Sequence, residues 1–202
     1  MLTHKNNSDT VIIVLHEIYG INEHIINVCK ELSKRKYDII IPNLLKDRIK
    51  FSYDQEERAY NYFMNNIGFE GSLNQLKQIL FNVRPHYKKV YLLGYSIGAT
   101  LAWLCSQTKL CDLVVGFYGS RIRDNPTVVP KCPTLLFFPT EEKSFDVDDL
   151  IIKLTKIDNI TVKKICGKHG FADPFSKNYN NKSSFIAYKE ILVFVKKVSA
   201  LS

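Results

Sequence analysis

Several classes of protein are excluded by what the sequence does not contain. None of its 202 residues belongs to an apolar run long enough to cross a bilayer. The first ten residues, MLTHKNNSDT, are polar and lack the apolar region of a secretory signal, so a cytoplasmic location is expected, with no membrane partner. There is no CxxC and no HExxH, and the five cysteines are an odd number. They read as reduced, mostly buried thiols rather than a disulfide framework or a zinc site, so neither a metal nor a cofactor is expected. The formal net charge of +8 comes without a zinc finger, an RNP signature or an arginine-rich arm. Its lysines are scattered at the ends of apolar stretches, where they serve solubility and steer anions, so no nucleic-acid partner is expected. No repeat, low-complexity tract or long linker divides the chain, and residues 1–202 are expected to form one domain.

What remains is a chain with 46% apolar, 24% charged and 12% aromatic residues, a globular balance with ample material for a core. Short apolar runs alternate with longer amphipathic stretches. Strands are predicted at 11–16, 38–45, 89–96, 113–119, 134–140 and 161–167. Most are nearly continuous in apolar residues, as central strands covered on both faces should be. Helices are predicted at 22–36, 53–66, 72–84, 97–108, 146–156 and 183–199. In the first of these, Ile25, Ile26, Cys29 and Leu32 form the expected apolar stripe. This alternation predicts an α/β fold with a mainly parallel central sheet and helices on both faces.

The segment VYLLGYSIGAT holds the first chemical signal: Gly94-Tyr95-Ser96-Ile97-Gly98 follows a predicted strand and opens a predicted helix. A bare GxSxG is weak, but this context is that of a nucleophile elbow, whose sharp turn lifts the serine hydroxyl above the sheet edge. The competing reading is a tight strand–helix turn with an inert serine. A serine hydroxyl needs a base to become nucleophilic. Downstream of Ser96 the chain has one histidine, His169, in the Gly-flanked loop GKHGFADP after the last predicted strand. The orienting acid should lie between them, and PTEEKSFDVDD offers Glu141, Glu142, Asp146, Asp148 and Asp149. Asp146 and Asp148 also suit the cap of the following helix, and residue type alone does not choose among the five.

Taken together, VIIVLHEIYGINEHI, IIIPNLL, AYNYF, LLGYSIGATLAWL, VVGFYG, CPTLLFF and KHGFADP resemble the dienelactone hydrolase family of α/β hydrolases, in order from about Val11 to Phe194. The resemblance implies an α/β-hydrolase fold and a cofactor-free hydrolase of small esters or lactones. By position it implies Ser96 as nucleophile, His169 as base and Glu142 of EEKSF as the acid, with Asp146 as the alternative. The backbone N–H groups of Ile18 and Ile97 would form the oxyanion hole. Glu17 matches a family glutamate that holds the resting thiol in cysteine-containing members, and it stands here beside a serine as a possible site carboxylate or a loop-fixing one. The chain reaches its first long strand almost at once, so the N-terminal edge of the sheet is expected to be trimmed. The two arginines that hold a substrate carboxylate in dienelactone-cleaving members are absent from their matching positions: Glu56 occupies one, with Arg58 near it, and GFADP the other. The expected substrate is therefore a small ester or lactone other than dienelactone. The rival reading is a relative that binds a small ligand or a protein without turning it over.

Overall fold

The computed structural model of the chain describes residues 2–45 and 49–200. Its elements run β1 (Leu2–His4), β2 (Thr10–Leu15), α1 (Glu23–Ser33), β3 (Asp38–Ile41), α2 (Glu56–Asn66), α3 (Gly68–Val83), β4 (Lys89–Tyr95), α4 (Ile97–Ser106), β5 (Leu113–Phe117), β6 (Thr134–Glu141), α5 (Val147–Leu154), β7 (Ile160–Lys168) and α6 (Asn181–Ala200). The strands form one seven-stranded sheet in the order β1-β3-β2-β4-β5-β6-β7. All neighbours are parallel except β1, which pairs antiparallel with β3. The mainly parallel α/β sheet predicted from the alternation is therefore present.

The continuous apolar runs follow from burial on both faces. Along β2, Ile12 and Val14 point to one side and Val11, Ile13 and Leu15 to the other, and all five are buried. The first side is covered by α1 and α6, the second by α3 and α4. Toward β6, Trp103 of α4 joins Leu136, Phe138 and residues of α5 in a further cluster. Fully burying a side chain of this size stabilises by about 1.5–3 kcal/mol, so these layers, rather than propensity, fix the strands.

Three details depart from the sequence reading. The apolar run predicted as a strand over 38–45 leaves the ladder after Ile41, because Pro42 has no N–H to donate. The inward stripe of α1 is Ile25, Val28, Cys29 and Leu32, while Ile26 lies off the packed face. At the N-terminal edge the exposed Leu2-Thr3-His4 pairs with Ile39–Ile41 through its backbone, an edge strand without an alternating apolar pattern to reveal it.

One contact governs the centre of the sheet. A Cβ added at Gly98 would lie 2.3 Å from the carbonyl oxygen of Leu15 and 2.8 Å from that of His16, so only glycine lets α4 begin against the end of β2. At Gly71, exposed in α3, an added Cβ meets nothing within 4 Å. Gly98→Ala is expected to cost about 2–3 kcal/mol, lowering Tm by roughly 5–10 °C. Gly71→Ala should instead stabilise by about 0.5–1 kcal/mol. Thermal melts of both variants check this, and equal effects would refute the close-approach account.

Candidate active site

The sheet brings its site residues together at the carboxyl ends of its strands. Ser96 follows the last residue of β4 and takes φ 52°, ψ −113°, a backbone conformation costing on the order of 1–3 kcal/mol. The turn is held by Ser96 N–H donating to the Phe117 carbonyl at 2.9 Å and by Thr100 N–H donating to the Ser96 carbonyl at 3.1 Å. Gly94 is required for the same turn, since a Cβ there would fall 2.3 Å from the Gly98 carbonyl oxygen.

The ends of β6 and β7 explain the next pair. A bulge near Pro139 lets Glu141 pair with Lys168, so the residues immediately after them, Glu142 and His169, face each other. Thr140 fixes this corner by accepting from Gly167 N–H through its Oγ1 at 3.0 Å. The result is a continuous chain: His169 Nδ1 lies 2.8 Å from Glu142 Oε2, and His169 Nε2 lies 3.1 Å from Ser96 Oγ. With the proton on Nδ1, the imidazole donates to the carboxylate and its Nε2 lone pair accepts from the serine hydroxyl. Asn178 Nδ2 donates to the His169 carbonyl at 2.8 Å and steadies the loop. Tyr118 at the end of β5 sets its ring 4.9 Å from the imidazole.

Among the five acidic residues of PTEEKSFDVDD, Glu142 is the one that meets His169. Asp146 instead caps α5, its Oδ1 accepting from the N–H groups of Asp148 at 2.9 Å and Asp149 at 3.2 Å. The Glu142 side chain is only 8% exposed and the His169 side chain 35%. Burial opposes ionisation at both. Their mutual hydrogen bond and opposite charges outweigh it, holding Glu142 below its usual range and His169 above 6.5; Glu17 and Glu56 add to the rise at His169.

Ile18 and Ile97 share one apolar cluster beside the serine. Ile97 begins α4, so no carbonyl of its own helix can accept its N–H. Ile18 occupies the second position of a turn closed by Gly20 N–H donating to the Glu17 carbonyl at 3.2 Å. This loop is pinned by His16, which the sequence reading passed over. His16 is fully buried, its Nδ1 is 2.6 Å from the Glu17 carbonyl, and its Nε2 accepts from Leu44 N–H at 2.9 Å. Burial depresses it to about 4, so it is a neutral strut between the ends of β2 and β3. The signal was its place at the end of an apolar strand, where a charged imidazole has no solvent.

Glu17 is buried at the same level, and one carboxylate oxygen, Oε1, has no hydrogen-bond partner among the described residues. Burial, followed by repulsion from Asp173, raises it to about 7. Glu56 is exposed at the start of α2, and its charge reaches Glu17, Tyr19 and His169. Arg58 lines an exposed groove with Asn61, Tyr62 and Asn65, away from these carboxylates. All five cysteines are free thiols; Cys105, Cys111 and Cys132 are buried and Cys166 is exposed. No described helix is long and apolar enough to cross a membrane.

Comparison with known proteins agrees with this architecture. A model described as the dienelactone hydrolase family matches residues 1–199. The Bacillus subtilis protein YczH is 35% identical over 178 residues, covering 87% of each chain. A protein of Saccharolobus solfataricus whose given name proposes a carboxymethylenebutenolidase is 23% identical across 98% of this chain and 93% of its own. Among solved structures, a Klebsiella pneumoniae protein described as a proposed dienelactone hydrolase superposes with a TM-score of 0.74 at 17% identity, covering 91% of this chain and 85% of that one. With a family model spanning nearly its whole length and a relative above 30% identity, the chain belongs to the dienelactone hydrolase family of α/β hydrolases.

Proposed function

We propose that the protein is a serine hydrolase that cleaves a small carboxylic ester or lactone through an acyl-enzyme on Ser96. The observation that carries this reading is the unbroken hydrogen-bonded chain Ser96–His169–Glu142 at the strand ends. Ser96 Oγ attacks the substrate's acyl carbon while its proton passes to His169 Nε2. The carbonyl oxygen becomes an oxyanion that accepts from the N–H groups of Ile97 and Ile18. Preorganised donors of this kind are worth about 10²–10³ in rate each. The C–O bond to the leaving group then breaks, and that oxygen takes the proton from Nε2. Water attacks the acyl-enzyme with its proton going to the same nitrogen, and Ser96 recovers its proton as the acid leaves. Glu142 holds the Nδ1 proton in place and stabilises the imidazolium in both halves.

A fluorophosphonate probe separates this enzyme from a ligand-binding relative: one label per chain, on Ser96, is the expected result. Ser96→Ala should abolish labelling and lower ester hydrolysis by about 10³-fold or more, with the fold retained. An unlabelled wild type without esterase activity would support the binding module.

The acid role has its own pH signature. Neutral His169 is the base, so kcat/KM for an uncharged ester should rise with pH through a single ionisation above 6.5, the direction in which Glu142 pushes the imidazole. Glu142→Gln removes that charge, so it should lower kcat/KM by at least about tenfold and move the midpoint to lower pH. Asp146→Asn should leave both unchanged. A midpoint that stays put in Glu142→Gln would remove Glu142 from the triad.

Specificity follows from the carboxylates at the rim and floor. Glu17, Asp173 and Glu56 act on the site together, and Arg58 lies elsewhere. A substrate carboxylate would enter without a cationic partner. A neutral ester should exceed its ω-carboxylate analogue by about tenfold or more in kcat/KM, a difference of roughly 1.4 kcal/mol. Equal values for the matched pair would show that a cation meets the anion.

A further inference from the structure

Behind the Ser96–His169–Glu142 chain lies a second cluster that the proposed reaction does not use. Glu17 from the loop after β2, His24 from the first turn of α1 and Asp173 from the loop after β7 converge at full burial. One donor atom from each lies within 4.8 Å of the other two. His24 Nδ1 and Asp173 Oδ2 are 3.7 Å apart, too far for a hydrogen bond. Neither ring nitrogen of His24 has a hydrogen-bond partner among the described residues, nor does Glu17 Oε1, although the Tyr118 hydroxyl acts on the Glu17 carboxylate from nearby. Asp173 is the exception, its Oδ2 accepting from Tyr53 Oη at 2.5 Å and its Oδ1 from Phe175 N–H at 2.9 Å.

Unmet polar atoms at this burial are costly, and several in one place imply a shared partner. The spacing suits an atom between them. Ligands about 2.1 Å from one ion sit roughly 3.0–3.4 Å apart, so side-chain shifts on the order of 1 Å close the set. Charge distinguishes an ion from a water. Two carboxylates are buried together, and among the described ion pairs no lysine or arginine reaches either one. A proton on Glu17, whose carboxyl burial lifts to about 7, relieves one charge and leaves His24 unmet, whereas a divalent cation offsets both carboxylates and takes a lone pair of His24. The single imidazole beside two carboxylates argues for a borderline first-row ion over calcium or magnesium, which favour all-oxygen sets.

We propose that Glu17, His24 and Asp173 form a structural site for a divalent first-row metal, with Zn²⁺ the favoured occupant. Motif reading points away from it because the ligands stand at 17, 24 and 173, with no paired spacing. Its role is mechanical. It adds the loop that carries Ile18 to a link that Tyr53 already makes between the start of α1 and the loop that carries His169, its hydroxyl accepting from Asn22 Nδ2 at 3.0 Å and donating to Asp173.

The test uses the full chain, stripped with a chelator and titrated with Co²⁺ as a spectroscopic probe. Uptake of one equivalent with visible d–d absorption, displaced by Zn²⁺, is expected. Saturating Zn²⁺ should raise Tm by about 5 °C or more. His24→Gln should lose the equivalent and the Tm gain, with Glu17→Gln as the second variant if the first does not fold. X-ray absorption on the Co²⁺-loaded wild type should show nitrogen and oxygen ligands without sulfur, a readout that needs no variant. No saturable uptake, uptake unchanged in a folded variant, or sulfur ligation through the exposed Cys166 would each overturn the site.

Discussion

The approach of α4 to the end of β2 is the constraint from which the site follows. The backbone of Gly98 rests against the Leu15 and His16 carbonyls, and Gly94 admits the Gly98 carbonyl from the other side. Any side chain at either place would push the helix away from the sheet. That contact sets the first N–H of α4 beside the loop that carries Ile18, and it forces Ser96 into its unfavourable φ/ψ pair. The strain persists because hydrogen bonds on both sides of Ser96 over-determine the turn.

The other half of the site rests on register. Pairing of Glu141 with Lys168 makes Glu142 and His169 neighbours before any side-chain contact forms. Their hydrogen bond selects one tautomer and leaves Nε2 free to face Ser96. Burial alone would weaken both charges, and it is outweighed because each group lies within hydrogen-bond reach of the other.

The sheet was legible because its strands are buried on both faces and therefore read as unbroken apolar runs. Ser96 and His169 were legible because their chemistry sits in glycine-flanked turns whose sequence is visible. Glu142 was not separable from Asp146 by residue type; that choice depended on the resemblance, and the geometry depends on a bulge with no sequence signature. The edge strand Leu2–His4 was invisible because its pairing uses backbone alone. His16, His24 and Asp173 were hidden for another reason: they face residues far away in the chain, Leu44 for His16 and each other for His24 and Asp173, and only folding reveals that they are buried.

Ser96, Glu142 and His169 each stand one residue beyond the end of a strand, on β4, β6 and β7. Their positions are therefore inherited from the sheet, while Glu56, whose charge reaches His169, belongs to α2. Substitutions in α2 can redraw which molecules are admitted without moving any atom of the Ser96–His169–Glu142 chain. A change in β6–β7 register moves Glu142 and His169 together, whatever α2 presents. Divergence in this lineage should accordingly accumulate around the entrance long before it reaches the strand ends.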